Sequence, residues 1–105
     1  MKKSNKNTAG TSFHMTTITC TQHQLETVLG KPQHGVSGDG KCQVEWTCEN
    51  KNGNVITIYD WKEYREFDRN EMIEWHLGGF KWIDTIMAKQ ELVEMITKEF
   101  GYVES

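Results

Sequence analysis

The sequence predicts an α+β domain: a three- to four-stranded antiparallel meander packed against a short N-terminal helix and a long C-terminal helix. Three observations lead there. Residues 42–49, CQVEWTCE, alternate side chains with the period of a half-buried strand. Asn52-Gly53 follows at once, the turn chemistry of a hairpin, and opens a second β-rich run, VITIYDW. Near the end, Ile86, Val93, Ile96 and Phe100 recur at helical spacing, widened by Leu92 and Met95. Both helices must bury an apolar stripe, and the sheet has an apolar face to offer.

The elements follow in order. Residues 1–14, MKKSNKNTAGTSFH, are polar and basic and read as a flexible tail, with a single domain over 15–105. Lys2, Lys3 and Lys6 there would suit an acidic partner, and a plain solvated extension is the simpler reading. Organised sequence begins just after Met15, so Met15 is an alternative start. Thr16–Thr19 form a short strand. Thr21 and Gln24 make a T-x-x-Q capping box, and Leu25, Val28 and Leu29 share a face. Gly30 and Pro32 stop that helix at 22–29. Residues 33–41, QHGVSGDGK, are a glycine-rich loop. Strands follow at 42–49, 54–62 and 71–77, with a turn at 50–53 and a polar link at 63–70. Gly78 and Gly79 are expected to break the third. The last helix runs from Thr85 to Phe100, with Asp84 as N-cap and Gly101 as stop.

Composition narrows the function classes. The 105 residues suit one domain with a single core. Net charge is −3, so a general grip on duplex nucleic acid is not expected. No apolar run is long enough to span a membrane, and no apolar segment of the secretory kind opens the chain. Cys20, Cys42 and Cys48 are odd in number, against a disulfide framework and in keeping with a reducing cytoplasm. Cys42 and Cys48 lie six strand positions apart, roughly 20 Å, too far to bridge. No CxxC or zinc spacing occurs, so neither metal nor cofactor is expected.

Strand parity sorts the aromatic stretch IYDWKEYR and its follower EWHLGGF. Ile56, Ile58, Ile73, Trp75 and Leu77 go to the core, with Trp46. Tyr59, Trp61 and His76 project from the opposite face, beside Gln43, Glu45, Thr47, Thr57 and Glu74. An exposed aromatic surface of this kind marks a contact site. Three readings compete for it. In the first, Tyr59 and Trp61 stack on a flat ligand whose charge is held by Lys41, Lys62, Arg65 and Lys81; aromatic platforms with cations suit nucleotides. In the second, the face is a protein interface, a homodimer among the possibilities. In the third, the aromatics pack beneath the N-terminal tail or the 63–70 link. An enzyme would need more. His76 with Glu74 or Asp60 is a general-base pair in principle, yet no G-x-S-x-G, H-E-x-x-H or Walker loop accompanies it. VSGDGK has the glycines of a phosphate nest and reads more simply as a tight turn.

The layout L-x-x-x-x-G-K-P, S-G-D-G-K, a strand tryptophan, T-I-Y-D-W-K-E-Y and E-W-H-L-G-G resembles a group of small bacteriophage proteins over residues 21–80. The resemblance carries no catalytic residue onto this chain. It implies counter-defence, by sequestering a nucleotide immune signal or by plugging a host protein, in the host cell cytoplasm. The helix ending in L-G-K-P before a β-meander also resembles the small outer-membrane-assembly lipoproteins of the BamE/SmpA kind, over residues 21–61. Cys20 there follows T-I-T and not a lipobox, so that likeness bears on the fold alone. The expectation is therefore a non-enzymatic sponge for an anionic nucleotide-type ligand, bound by Lys41, Tyr59, Trp61, Lys62, Arg65 and His76, and working as a homo-oligomer. The alternatives are an inhibitor of a host defence protein and a small hydrolase or lyase using His76.

Overall fold

A computed structural model describes residues 1–33, 44–61 and 67–101. Its elements are β1 (Lys2–Lys3), β2 (Ser12–Thr21), α1 (Gln22–Leu29), β3 (Glu45–Glu49), β4 (Val55–Asp60), β5 (Met72–Gly79) and α2 (Trp82–Phe100). The α+β class stands. Among the described residues the sheet has five strands in the order β1-β3-β4-β5-β2, every pair antiparallel. The expected meander is its centre, β3-β4-β5. Both edge strands come from the N-terminal part of the chain: β2 contains the expected strand at Thr16–Thr19 and extends it back to Ser12, and β1 on the other edge is new.

That addition corrects the expectation of a flexible tail over residues 1–14. Lys2 and Lys3 pair with Glu49 and Cys48, and Ser4 N continues the contact by donating to Thr47 O at 2.9 Å. The chain then crosses to the far edge of the sheet. On the way Lys6 Nζ donates to Gly53 O at 2.6 Å, and Gly10 lies against the Phe80 ring. The tail lysines are engaged within the molecule. Lys2 and Lys6 both reach the Glu49 carboxylate, and Lys3 donates to Lys31 O. A hydrogen bond from Ser4, with Lys6 and Lys2 beside it, holds Glu49 below the usual carboxyl range.

Helix α1 has the expected bounds. Thr21 Oγ1 accepts from Gln24 N, and Gln24 Oε1 accepts from Thr21 N, so both halves of the capping box are made. Helix α2 starts three residues earlier than the sequence reading, with Lys81 as N-cap and no side-chain cap. Asp84 is buried in the first turn, and its carboxylate accepts from Asn54 Nδ2 at 3.0 Å. A residue suited to capping is drawn instead to the hairpin.

The core lies between the sheet and the two helices. Ile18, Cys20, Trp46, Cys48, Ile56, Ile58, Ile73, Trp75 and Leu77 come from the strands; Leu25, Leu29, Ala88, Leu92 and Ile96 come from the helices. Trp46 and Trp75 meet edge to face, 5.4 Å between ring centroids. Each buried indole N–H finds a carbonyl: Trp46 donates to Gly30 O at 2.8 Å and Trp75 to Cys20 O at 3.0 Å. Phe67 adds an edge contact to Trp75, and Arg69 pairs with Glu26 of α1. Burial pushes the Cys20 and Cys48 thiols up to about 12.

Gly78 and Gly79 do not break β5, which runs through both. Packing explains their presence. A Cβ on Gly78 would collide with Thr57 Oγ1, and one on Gly79 would press on Thr85 Cγ2 at 3.2 Å and Ile56 Cδ1 at 3.4 Å. The pair lets β4 and α2 close onto β5 from its two faces. Among the described residues, no helix is long and apolar enough to cross a membrane.

Candidate functional site

The face of the sheet away from the helices is set by the two-residue period. Tyr59 of β4 stands directly opposite His76 of β5, and Thr17 of β2 stands opposite His76 on the other side. Trp61 follows β4 by one residue and is 38% exposed. Trp46 and Trp75 are fully buried. The sequence parity therefore holds for all three tryptophans.

Phe13 is the addition that sequence reasoning missed. It pairs with Gly78, which has no side chain, and its ring leans across onto His76. The centroids are 4.0 Å apart and the planes 13° from parallel. Trp61 also stacks on His76, at 5.9 Å and 23°. Tyr59 meets both rings edge-on, His76 at 5.5 Å and Trp61 at 6.2 Å. The space over Gly78 itself is taken by Thr57 Oγ1 and the edge of the Tyr59 ring. Among the described residues the result is one cluster of four rings: Phe13, Tyr59, Trp61 and His76.

The cluster sets the state of the imidazole. Partial burial among the rings lowers the His76 pKa below its ordinary value, and the nearby Glu74 charge opposes that only in part. The shift favours the neutral ring. Among the described residues no hydrogen bond reaches its nitrogens, so no carboxylate orients it. Asp60, one of its two expected partners, is fully buried on the opposite face, with Oδ1 accepting from Val44 N at 2.8 Å. That half of the acid–base pairing is corrected by strand parity: adjacent residues Tyr59 and Asp60 must point to opposite faces. Glu74 shares the face of His76 and is exposed.

The expected cations divide. Lys41, Lys62 and Arg65 lie outside the described residues, as do Cys42, Gln43 and the SGDGK turn. Lys81 is exposed at the start of α2. It is five residues beyond His76, roughly 16 Å along the strand direction, and it lies toward the opposite end of the sheet from Trp61. Lys81 therefore does not join the cluster.

Among the described residues the arrangement is a platform and not a pocket. Two clefts, of about 310 and 420 Å³, lie along the β1 edge among residues 1–8 and 47–53 with Gln33, and contain none of the four rings. At 4.0 Å the Phe13–His76 stack is closed to insertion. The open aromatic surface belongs to Trp61, with Tyr59 half-buried beside it. Among the described residues, no group of three His, Cys, Asp or Glu side chains is arranged to hold a metal ion. Compared with protein-family models, curated proteins and solved structures, the chain finds no match.

Proposed function

We propose that this chain is a binding protein of the phage counter-defence kind, without a reaction of its own, that sequesters an anionic nucleotide-type ligand on the outer face of its sheet. One observation carries the reading. Four rings from three strands and a strand end converge on that face, and Trp61 keeps more than a third of its surface open. A nucleobase stacks on such a ring whatever its sequence identity, because every base has a π-face. Lys62 and Arg65 follow Trp61 in the chain and supply charge for phosphate. His76 supports the platform by holding Phe13 and Trp61, and its own ring faces are spent on that stacking.

The test is incubation with a panel of linear and cyclic nucleotides, followed by recovery of the protein, denaturation and analysis of the released small molecules. The expected result is depletion of one class and its intact recovery. Trp61→Ala should weaken that binding by about 1–3 kcal/mol. Lys62→Ala and Arg65→Ala should weaken it further and flatten its salt dependence. Release of an altered nucleotide would overturn the non-enzymatic reading in favour of a small hydrolase or lyase using His76. Absence of depletion would leave the second reading, a protein inhibitor of a host defence factor. That reading is favoured by a different surface: Phe80, Trp82 and Ile83, consecutive but for Lys81, are each about half exposed where β5 passes into α2.

A further inference from the structure

The two edges of the sheet are finished differently. At the β1 edge the strand is two residues long and both are lysine. Beyond it Gln33 completes the edge of β3: its N–H donates to Glu45 O, its Oε1 accepts from Thr47 N and its Nε2 donates to Thr47 O at 2.7 Å. A short, charged and covered edge is one that resists further pairing. The opposite edge is β2, ten residues long, without Lys, Arg, Asp, Glu or Pro.

The register shows which backbone groups that edge leaves free. In an antiparallel ladder successive residues turn their N–H and C=O to alternate neighbours. Thr47 bonds Ser4 N and Gln33, so its backbone faces the β1 edge. Trp46 and Cys48 then face β4, opposite Ile58 and Ile56. Thr57 and Tyr59 face β5, opposite Gly78 and His76. Trp75 and Leu77 face β2, opposite Ile18 and Thr16. The backbone groups of Thr17 and Thr19 are left pointing outward. The next outward N–H, that of Thr21, is taken by Gln24 Oε1. Among the described residues no partner takes those of Thr17 and Thr19.

We propose that a second copy of this chain pairs with this edge, β2 against β2 antiparallel, about a two-fold axis through Ile18. Only that register pairs Thr17 with the partner's Thr19 and Thr19 with the partner's Thr17, using all four free groups of each copy and keeping side chains of one face together. The stretch is self-complementary because it is neutral and β-branched, TTIT, with no charge to repel its own copy. The bulge between Phe13 and Thr16 ends the paired stretch. Met15 sits in that bulge with φ 68° and 83% of its surface exposed, placing an apolar side chain at each end of the seam. The pairing makes one ten-stranded sheet. A two-fold axis perpendicular to the sheet puts both outer faces, and both copies of the Phe13–His76–Trp61 cluster, on the same side. The seam is independent of what that face binds.

The experiment is sedimentation equilibrium of the full chain over a concentration series up to about 100 µM, without ligand. The expected mass rises toward twice 12.2 kDa. Thr19→Pro removes one outward N–H and no bond of the β2–β5 ladder, so it should stay monomeric with an unchanged far-ultraviolet spectrum. Should that variant unfold, Thr17→Lys with Thr19→Lys serves instead, setting lysines against lysines across the seam from half-exposed positions. A wild-type chain that remains monomeric throughout overturns the proposal. So does a dimer that persists in either variant while it is folded.

Discussion

At the scale of single residues, the three tryptophans of the sheet separate cleanly by what surrounds them. Trp46 and Trp75 are fully buried, touch each other, and each donates its indole N–H to a carbonyl. Truncating either to alanine removes a large buried surface and leaves that carbonyl without its donor. Each should lose about 3–5 kcal/mol of stability, read from the urea midpoint. Trp61→Ala should cost about 1 kcal/mol or less, since its ring is partly solvated and its ring contacts among the described residues are to other partly exposed rings. Equal losses at all three positions would contradict the burial described. Fluorescence would separate them too: a quencher in solvent should reach Trp61 and Trp82 and leave the core pair untouched, in line with their exposure.

At the scale of elements, the N-terminal segment is the one whose role differs most from a plain reading of its composition. It contributes an edge strand, a crossing and the start of β2. Deleting residues 1–11 removes the β1–β3 pairing and the bonds of Ser4 and Lys6. It also uncovers Thr47, which is buried although it projects from the outer face. The net loss should be about 1–3 kcal/mol, because each backbone bond is worth about 1 kcal/mol after its exchange with water and ordering the segment costs entropy. For a domain of this size that is a fall in Tm of roughly 5–20 °C. A truncated chain melting at the wild-type temperature would show that the segment adds nothing to the sheet. The β2 half of the same segment brings Phe13 to the cluster, so fold and site share it.

At the scale of the whole molecule, the titratable groups whose pKa values folding shifts set a pH range of stability. Cys20 and Cys48 have folded pKa values raised from about 9 to about 12 by burial. Their contribution is intact below the unfolded thiol range. It is lost as pH rises from about 9 toward 12, because only the unfolded chain then releases its protons. Each thiol adds a slope of up to about 1.4 kcal/mol per pH unit in that window. His76 and Glu49 have the opposite sign. Their folded pKa values are lowered, so their contribution is intact above the ordinary values of 6.5 and 4.5 and is lost as pH falls below them. Tm against pH should form a plateau between about 7 and 9 with a fall on both sides. Cys20→Ala should flatten the alkaline limb even though it lowers the plateau, and His76→Gln should flatten the fall that begins near pH 6.5. A limb left unchanged by its variant would assign that titration elsewhere.

What the sequence determined by itself was everything governed by contacts a few residues apart. The capping box at Thr21 and Gln24, the hairpin at Asn52-Gly53, the inward and outward sides of β3, β4 and β5, and the fates of Trp46, Trp61 and Trp75 are all written in local spacing, because the periods of helix and strand act over three or four residues. Tyr59, Trp61 and His76 were legible as a set for the same reason: alternation put them on one face before any pairing was known. Only the tertiary structure decided what depends on which strand lies beside which. Glycine ends many strands, yet Gly78 and Gly79 continue one, because Thr57, Ile56 and Thr85 occupy the space a Cβ would need. Asp84 suits a helix cap, yet it turns to Asn54 across the hairpin. The polar N-terminal run looks unable to order itself, since Met1 and Phe13 are nearly all the apolar surface it has; it becomes strand by borrowing the hydrogen-bonding edges of β3 and β5. Phe13 joins the site only through that register, since its partner Gly78 is 65 residues away and no short-range pattern can anticipate such a pairing.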